Sequence, residues 1–168
     1  PIPEMEGVAK ELITYTRDDG LELSGTLYTP AGFSTDRGPI PLVMWAYPQD
    51  YMSSDAASRI TVSPWEYDYV GWWSPLIWLT MDYAVLDYPS MPIVSMDGNP
   101  PNDSFVEQLV MNARAAVEKV VDMGVADSTA IFIGGHSYGA FMTANLLAHS
   151  DLFAAGVAST GAYNRTLT

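Results

Sequence analysis

Ala130-Ile131-Phe132-Ile133-Gly134-Gly135-His136-Ser137-Tyr138-Gly139-Ala140-Phe141-Met142-Thr143-Ala144-Asn145-Leu146-Leu147-Ala148-His149 is the stretch on which the fold turns. Residues 130–134 are a short continuous apolar run, the pattern of a strand covered on both faces. Residues from about 140 to 149 read as a helix. Only Gly135-His136-Ser137-Tyr138-Gly139 separates the two, so the chain reverses sharply with a serine at the apex. A reversal that tight strains the serine backbone and leaves no room for a Cβ two residues to either side, where both residues are glycine. It pushes Ser137 Oγ into the open at the end of a sheet. The N-terminus of the following helix then offers N–H groups and a positive dipole end beside it.

Working outward, Asp18-Asp19-Gly20 is a tight-turn signature between residues 12–17 and 21–29, both rich in β-branched and aromatic residues. This predicts a β-hairpin. Residues 30–41 read as a loop, and Leu42 to Tyr47 as a buried strand ended by Pro48. Residues 48–73 carry Trp65, Tyr67, Tyr69, Trp72 and Trp73 without a clean period, which predicts an irregular segment with short helices. Ser74 and Pro75 open a helix through Thr80, and Tyr83 to Tyr88 is a second buried strand. Ser104 and Glu107 fit a capping box. The helix behind it repeats Val106, Leu109, Val110, Ala113, Val117, Val120 and Val121 on one face, and Gly124 suits its left-handed C′ position. Asn102 and Asp103 precede that helix and are expected to serve its N-terminus. Residues 154–159 form one more strand. Buried strands alternating with helices predict an α/β fold, a mostly parallel sheet preceded by the hairpin.

Composition excludes several function classes. Twenty Asp and Glu against seven Lys and Arg give a formal charge of −13 over 168 residues. The basic residues (Lys10, Arg17, Arg37, Arg59, Arg114, Lys119, Arg165) are scattered, which argues against nucleic acid and against an anionic membrane surface. No stretch approaches the roughly 18 apolar residues of a bilayer span. With no cysteine and two histidines at no ligand spacing, neither thiolate chemistry nor a metal centre is expected, and no cofactor is implied. The acidic N-terminus, Pro1 to Glu6, lacks the layout of a signal peptide, and the compartment stays open.

Strand, G-x-S-x-G and helix in immediate succession make the nucleophile elbow of α/β-hydrolases. The region Gly134 to His149 closely resembles the nucleophile region of prolyl oligopeptidase-family serine peptidases, and is most similar to their glutamyl endopeptidase-like branch. Met44-Trp45-Ala46-Tyr47-Pro48, Tyr83-Ala84-Val85-Leu86-Asp87, Met91-Pro92-Ile93-Val94 and Gly161-Ala162-Tyr163-Asn164-Arg165-Thr166-Leu167-Thr168 resemble that branch too, so the likeness runs from about Leu12 onward. The resemblance implies hydrolysis of peptide bonds, with Ser137 as nucleophile, the Tyr138 backbone N–H as one oxyanion donor and the Tyr47 hydroxyl as the second. A strand-end tyrosine merely buried by packing is the plainer reading of Tyr47.

In this fold the triad order is Ser, then Asp, then His, and the family places both well beyond the strand that ends here near Ser159. They are therefore expected beyond Thr168, which makes residues 1–168 an incomplete catalytic domain, inactive alone, with an open sheet edge beside the last strand. His136 adjoins the serine on the elbow, where successive side chains diverge; packing or a hydrogen bond behind the turn is its expected role. His149 lies about three helical turns away. Neither suits the base, and Asp82, Asp87 and Asp97 carry no signal beyond ordinary strand ends and loops. The aromatic residues between Trp65 and Trp78 could wall a substrate pocket or pack an irregular segment. Family resemblance also implies a β-propeller before this domain and a C-terminal half after it as partners. An acidic substrate residue would need a basic pocket, and Ser159-Thr160-Gly161 stands where the glutamyl branch reads Arg-Ser-Gly; Arg165 could serve it or pin its own loop. A carboxylesterase or lipase on the same fold and a non-catalytic hydrolase-fold binding module are the alternatives.

Overall fold

Gly20, at a φ of 87°, supplies the left-handed turn that folds residues 9–29 back on themselves. The computed structural model describes residues 3–60, 63, 65, 66, 68, 70, 71, 73–95 and 100–163. In chain order its strands are β1 (Ala9–Thr16), β2 (Glu22–Thr29), β3 (Ile40–Trp45), β4 (Gln49–Tyr51), β5 (Ala84–Asp87), β6 (Pro92–Val94), β7 (Ala126–His136) and β8 (Ala155–Ser159). The helices are α1 (Ser54–Ala57), α2 (Phe105–Asp122) and α3 (Tyr138–His149). Six strands form one sheet in the order β1-β2-β5-β3-β7-β8. The hairpin joins it antiparallel through β2 and β5, with Leu27 opposite Leu86. From β5 onward every pairing is parallel. This is the α/β architecture with an N-terminal hairpin that the sequence predicts.

The central strands are apolar over residues 42–44, 84–86 and 131–133, where both faces are covered. Leu42 and Met44 of β3, Leu86 of β5 and Ile131 and Ile133 of β7 are buried with Leu109, Ala113 and Val120 of α2 and Met142 and Leu146 of α3. On the opposite face Val85 packs with Tyr28, Leu76 and Leu79. At roughly 1.5–3 kcal/mol for each large apolar side chain removed from water, these layers are the main favourable contribution to folding.

Several local readings change. The helix opened by Ser74 and Pro75 is of the 3-10 type and runs over residues 75–81; Ser74 Oγ accepts from Leu76 N–H at its start, and Asp82, left-handed at a φ of 61°, ends it. The capping box at Ser104 does not form. A 3-10 turn over Pro101–Ser104, which takes up Asn102 and Asp103, precedes α2, and the Ser104 hydroxyl makes no capping bond, instead accepting from Gln108 Nε2 at 2.8 Å. Gly124 does take the left-handed position past the helix, with a φ of 71°. Within the segment read as irregular, β4 pairs parallel with β6, Gln49 opposite Pro92 and Tyr51 opposite Val94. Three-residue strands flanked by prolines leave too few alternations for a period to show. Finally, the buried face of α2 includes Gln108 and Asn112, which hydrophobic spacing passes over.

Candidate active site

β7 delivers the chain to Ser137, and α3 carries it away. Ser137 holds a φ of 56° and a ψ of −112°, a region a non-glycine residue enters only when its surroundings enforce it. The enforcement is visible. Ser137 N–H donates to the Ser159 carbonyl at 2.9 Å, tying the elbow to the end of β8. Its carbonyl accepts from Ala140 N–H and Phe141 N–H at 3.1 and 3.2 Å, tying it to the first turn of α3. A Cβ on Gly135 would stand 2.6 Å from the Gly139 carbonyl and 2.7 Å from the Ala46 carbonyl, and one on Gly139 would stand 2.5 Å from that same Ala46 oxygen. The two motif glycines thus let strand, helix and the end of β3 converge.

The convergence brings Tyr47 to the elbow. Ala46 N–H donates to the Gly134 carbonyl at 3.0 Å, extending the β3–β7 ladder one residue past Trp45. Tyr47 then leaves the sheet and meets Tyr138 edge-on, ring centroids 5.9 Å apart. Tyr138 opens α3, so its N–H points along the helix axis toward the N-terminal end. Its ring is stacked with Phe105 at 5.6 Å and Phe141 at 6.2 Å, which anchors the elbow to the start of α2. A cavity of about 340 Å³ is lined by Ser137, Tyr138, Tyr47, Asp50, Phe141, Thr160 and Ala162. All three residues singled out in the sequence share it.

Sequence reasoning gave no role to Asp50, Phe105 or Phe141, and it considered Thr160 only within the stretch compared with the glutamyl branch. Thr160, β-branched yet at a φ of 57°, is a second enforced conformation on the same cavity. No local pattern marks Asp50 or Phe105, because their contacts join segments distant in the chain.

The other candidates fall away from Ser137. His136 is exposed rather than packed behind the turn; its Nδ1 lies 3.4 Å from Ser159 Oγ and its ring 5.6 Å from that of Trp73. His149 ends α3, and twelve residues at 1.5 Å each put it about 18 Å from the elbow. Asp87 aligns across the sheet with Trp45, and Trp45 with Gly134, which is two strand spacings, or about 10 Å. Trp78 packs on Tyr83 at 5.3 Å, and among the described residues no tryptophan lines the Ser137 cavity. Asp97, Arg165, Trp72, Tyr67 and Tyr69 lie outside the described residues. Among the described residues no group of three His, Asp or Glu could hold a metal ion, and no helix is long and apolar enough to cross a membrane.

Burial pushes the Asp87 carboxyl up to about 7, with the Asp68 charge adding and the Tyr88 N–H and Lys10 opposing, and its Oδ1 meets no partner among the described residues. The folded state therefore holds this proton more tightly than the unfolded chain does. The associated stability is complete below pH 4 and is lost as pH rises through about 7. Asp87→Asn is accordingly expected to raise Tm at pH 8 and leave it unchanged near pH 4, each kcal/mol relieved giving about 2–4 °C. Thermal melts at the two pH values check this, and an equal shift at both would contradict it.

The profile of the prolyl oligopeptidase family matches residues 107–168. A probable glutamyl endopeptidase, chloroplastic, of Arabidopsis thaliana is 51% identical over the whole chain, and its counterpart in Oryza sativa subsp. japonica is 49% identical. The chain spans 18% of the length of each of these relatives. A post-proline cleaving enzyme from Rickettsia typhi superposes with a TM-score of 0.63 at 16% identity, over 93% of this chain and 21% of that one. An acylaminoacyl peptidase of Pyrococcus horikoshii gives 0.62 at 19%, over 94% and 24%. These structures establish the α/β-hydrolase fold, and the shared sequence goes further. About half the residues match the two plant relatives from end to end, and residues 107–168, with the serine elbow built as the motif requires, match the prolyl oligopeptidase family.

Proposed function

We propose that the full-length protein is a serine peptidase that forms its acyl-enzyme on Ser137. The observation that carries this reading is the enforced elbow, which holds Ser137 in the lining of a cavity shared with Tyr138 and Tyr47. In the proposed reaction Ser137 Oγ attacks the peptide carbonyl while a histidine from beyond this chain takes its proton, oriented by an aspartate also from beyond it. The oxyanion is held by the Tyr138 N–H and the Tyr47 hydroxyl. The histidine then returns the proton to the leaving amine, and water releases the acyl group by the same steps. The C-terminal half of the domain and an N-terminal β-propeller are the proposed covalent partners. Relatives bearing peptidase names support this reading over an esterase or a binding module.

A preference for acidic residues is the finer reading, in keeping with the glutamyl endopeptidase name of the relatives. A second cavity, of about 280 Å³, shares Tyr47 with the first and is lined by Arg59, Gln49, Tyr51 and Tyr88. Strand alternation sends Gln49 and Tyr51 to this cavity and Asp50 to the other. Arg59 makes no ion pair among the described residues, and Tyr88 is held at a φ of 46°. An unpaired guanidinium in so acidic a chain suits a carboxylate.

Profiling the full-length protein on a peptide library tests both statements. Cleavage is expected, enriched next to Glu, and Arg59→Gln should lower the Glu-over-Gln preference by about tenfold or more. Absence of any cleavage would retire the peptidase reading. A majority of cuts after apolar residues would retire the acidic preference alone.

A further inference from the structure

The β4–β6 ribbon forms a wall of the candidate site, yet it is a pair of three-residue strands outside the main sheet. At its two ends the ribbon is closed by Gln49 N–H to the Met91 carbonyl at 3.2 Å and Ser95 N–H to the Tyr51 carbonyl at 2.9 Å. The far edge of β6 is satisfied by side chains of α2. Gln108 Oε1 accepts from Val94 N–H at 3.0 Å, and Gln108 Nε2 donates to the Val94 carbonyl at 2.8 Å, so one amide pairs both backbone groups as a neighbouring strand would. Asn112 Nδ2 donates to the Pro92 carbonyl at 2.8 Å.

An amide can flip, and only one orientation serves β6. Arg17 selects it. Arg17 is 3% exposed, and Gln108 and Asn112 are 1% and 0% exposed. Arg17 Nη1 donates to Gln108 Oε1 at 3.3 Å and to Asn112 Oδ1 at 2.9 Å, so both oxygens face the cation and both NH₂ groups face the strand. The rest of the fork is gripped by Asp19, Nε to Oδ1 at 2.8 Å and Nη2 to Oδ2 at 2.6 Å. That donor holds the Asp19 carboxyl below the usual range.

We propose that Arg17 is a positioning residue for the active site: through Gln108 and Asn112 it locks the β4–β6 ribbon, and with it Tyr47 and Asp50, against the Ser137 elbow. A guanidinium remote in sequence and touching no substrate thereby sets the placement of the second oxyanion donor. A buried polar network fully satisfied in one arrangement is a device for a single geometry more than for stability. The kinetic half of this inference rests on the oxyanion role proposed for Tyr47.

Arg17→Lys in the full-length protein removes the fork and keeps the charge. Because loss of a buried guanidinium can unfold a domain, Gln108→Glu and Asn112→Asp supply the second test. Each keeps an acceptor for Arg17 and removes the donor to β6. Amide exchange is expected to speed up at Gln49 and Ser95 while β3 and β7 stay protected. The kcat should fall by about tenfold with KM nearly unchanged, since small misplacements of a catalytic group are costly. In a Tyr47→Phe background the same substitutions should cost less than about twofold, because coupled residues do not add. Unchanged exchange at Gln49 and Ser95 in folded variants, or losses that multiply undiminished with Tyr47→Phe, would overturn the inference. Tyr47→Phe at full rate would instead overturn the oxyanion reading, and the exchange arm would still decide whether Arg17 locks the ribbon.

Discussion

Ser137→Ala in the full-length protein is expected to lower kcat by about 10⁶, the scale seen when a serine peptidase loses its nucleophile. It should also abolish fluorophosphonate labelling while leaving folding intact. The folded state has little to lose. Ser137 is exposed, and its ties to β8 and α3 run through its backbone N–H and carbonyl, which alanine retains. The positive φ of 56° is as demanding for alanine as for serine, so the substitution adds no backbone strain. Labelling followed by peptide mapping checks the assignment directly. An adduct on another serine, or turnover unaffected by the substitution, would remove Ser137 from the mechanism.

Removing the Tyr47 hydroxyl is the second large effect expected. Loss of one oxyanion donor costs about 10²–10³ in kcat, and a donor that strengthens its bond only as charge develops should leave KM almost unchanged. Tyr47→Phe keeps the ring that meets Tyr138 edge-on, so the wall of the cavity stays in place and only the hydroxyl is tested. Tyr47 is 43% exposed, which leaves that hydroxyl accessible to substrate. Kinetics on a peptide and on an activated ester separate the effects. The ester, with a better leaving group, should show the same fractional loss if acylation remains limiting. A full-rate Tyr47→Phe enzyme would place the second donor elsewhere.

These expectations differ in how far local sequence supports them. The elbow was legible because its requirements are local: a buried strand, two glycines at fixed spacing and a helix within twenty residues. Hairpin and parallel strands were legible for a related reason, since turn chemistry and burial on both faces leave their mark in consecutive residues. The cap at Ser104 was misread because a capping box in sequence competes with a preceding 3-10 turn, and Gln108 claims the serine hydroxyl. The ribbon of β4 and β6 was invisible because each strand is too short to show a period.

By itself the sequence determined the α/β class and the strand–turn–helix elbow that presents Ser137, the proposed nucleophile, because those depend on patterns within a few turns of chain. Tertiary structure alone decided that Tyr47, Asp50 and Thr160 share a cavity with Ser137, that Phe105 stacks behind the elbow, and that Arg17 reaches Gln108 and Asn112, ninety-one and ninety-five residues away. Those meetings follow from strand order and helix packing. In them each partner satisfies a demand for burial or hydrogen bonding that no neighbour in sequence can supply.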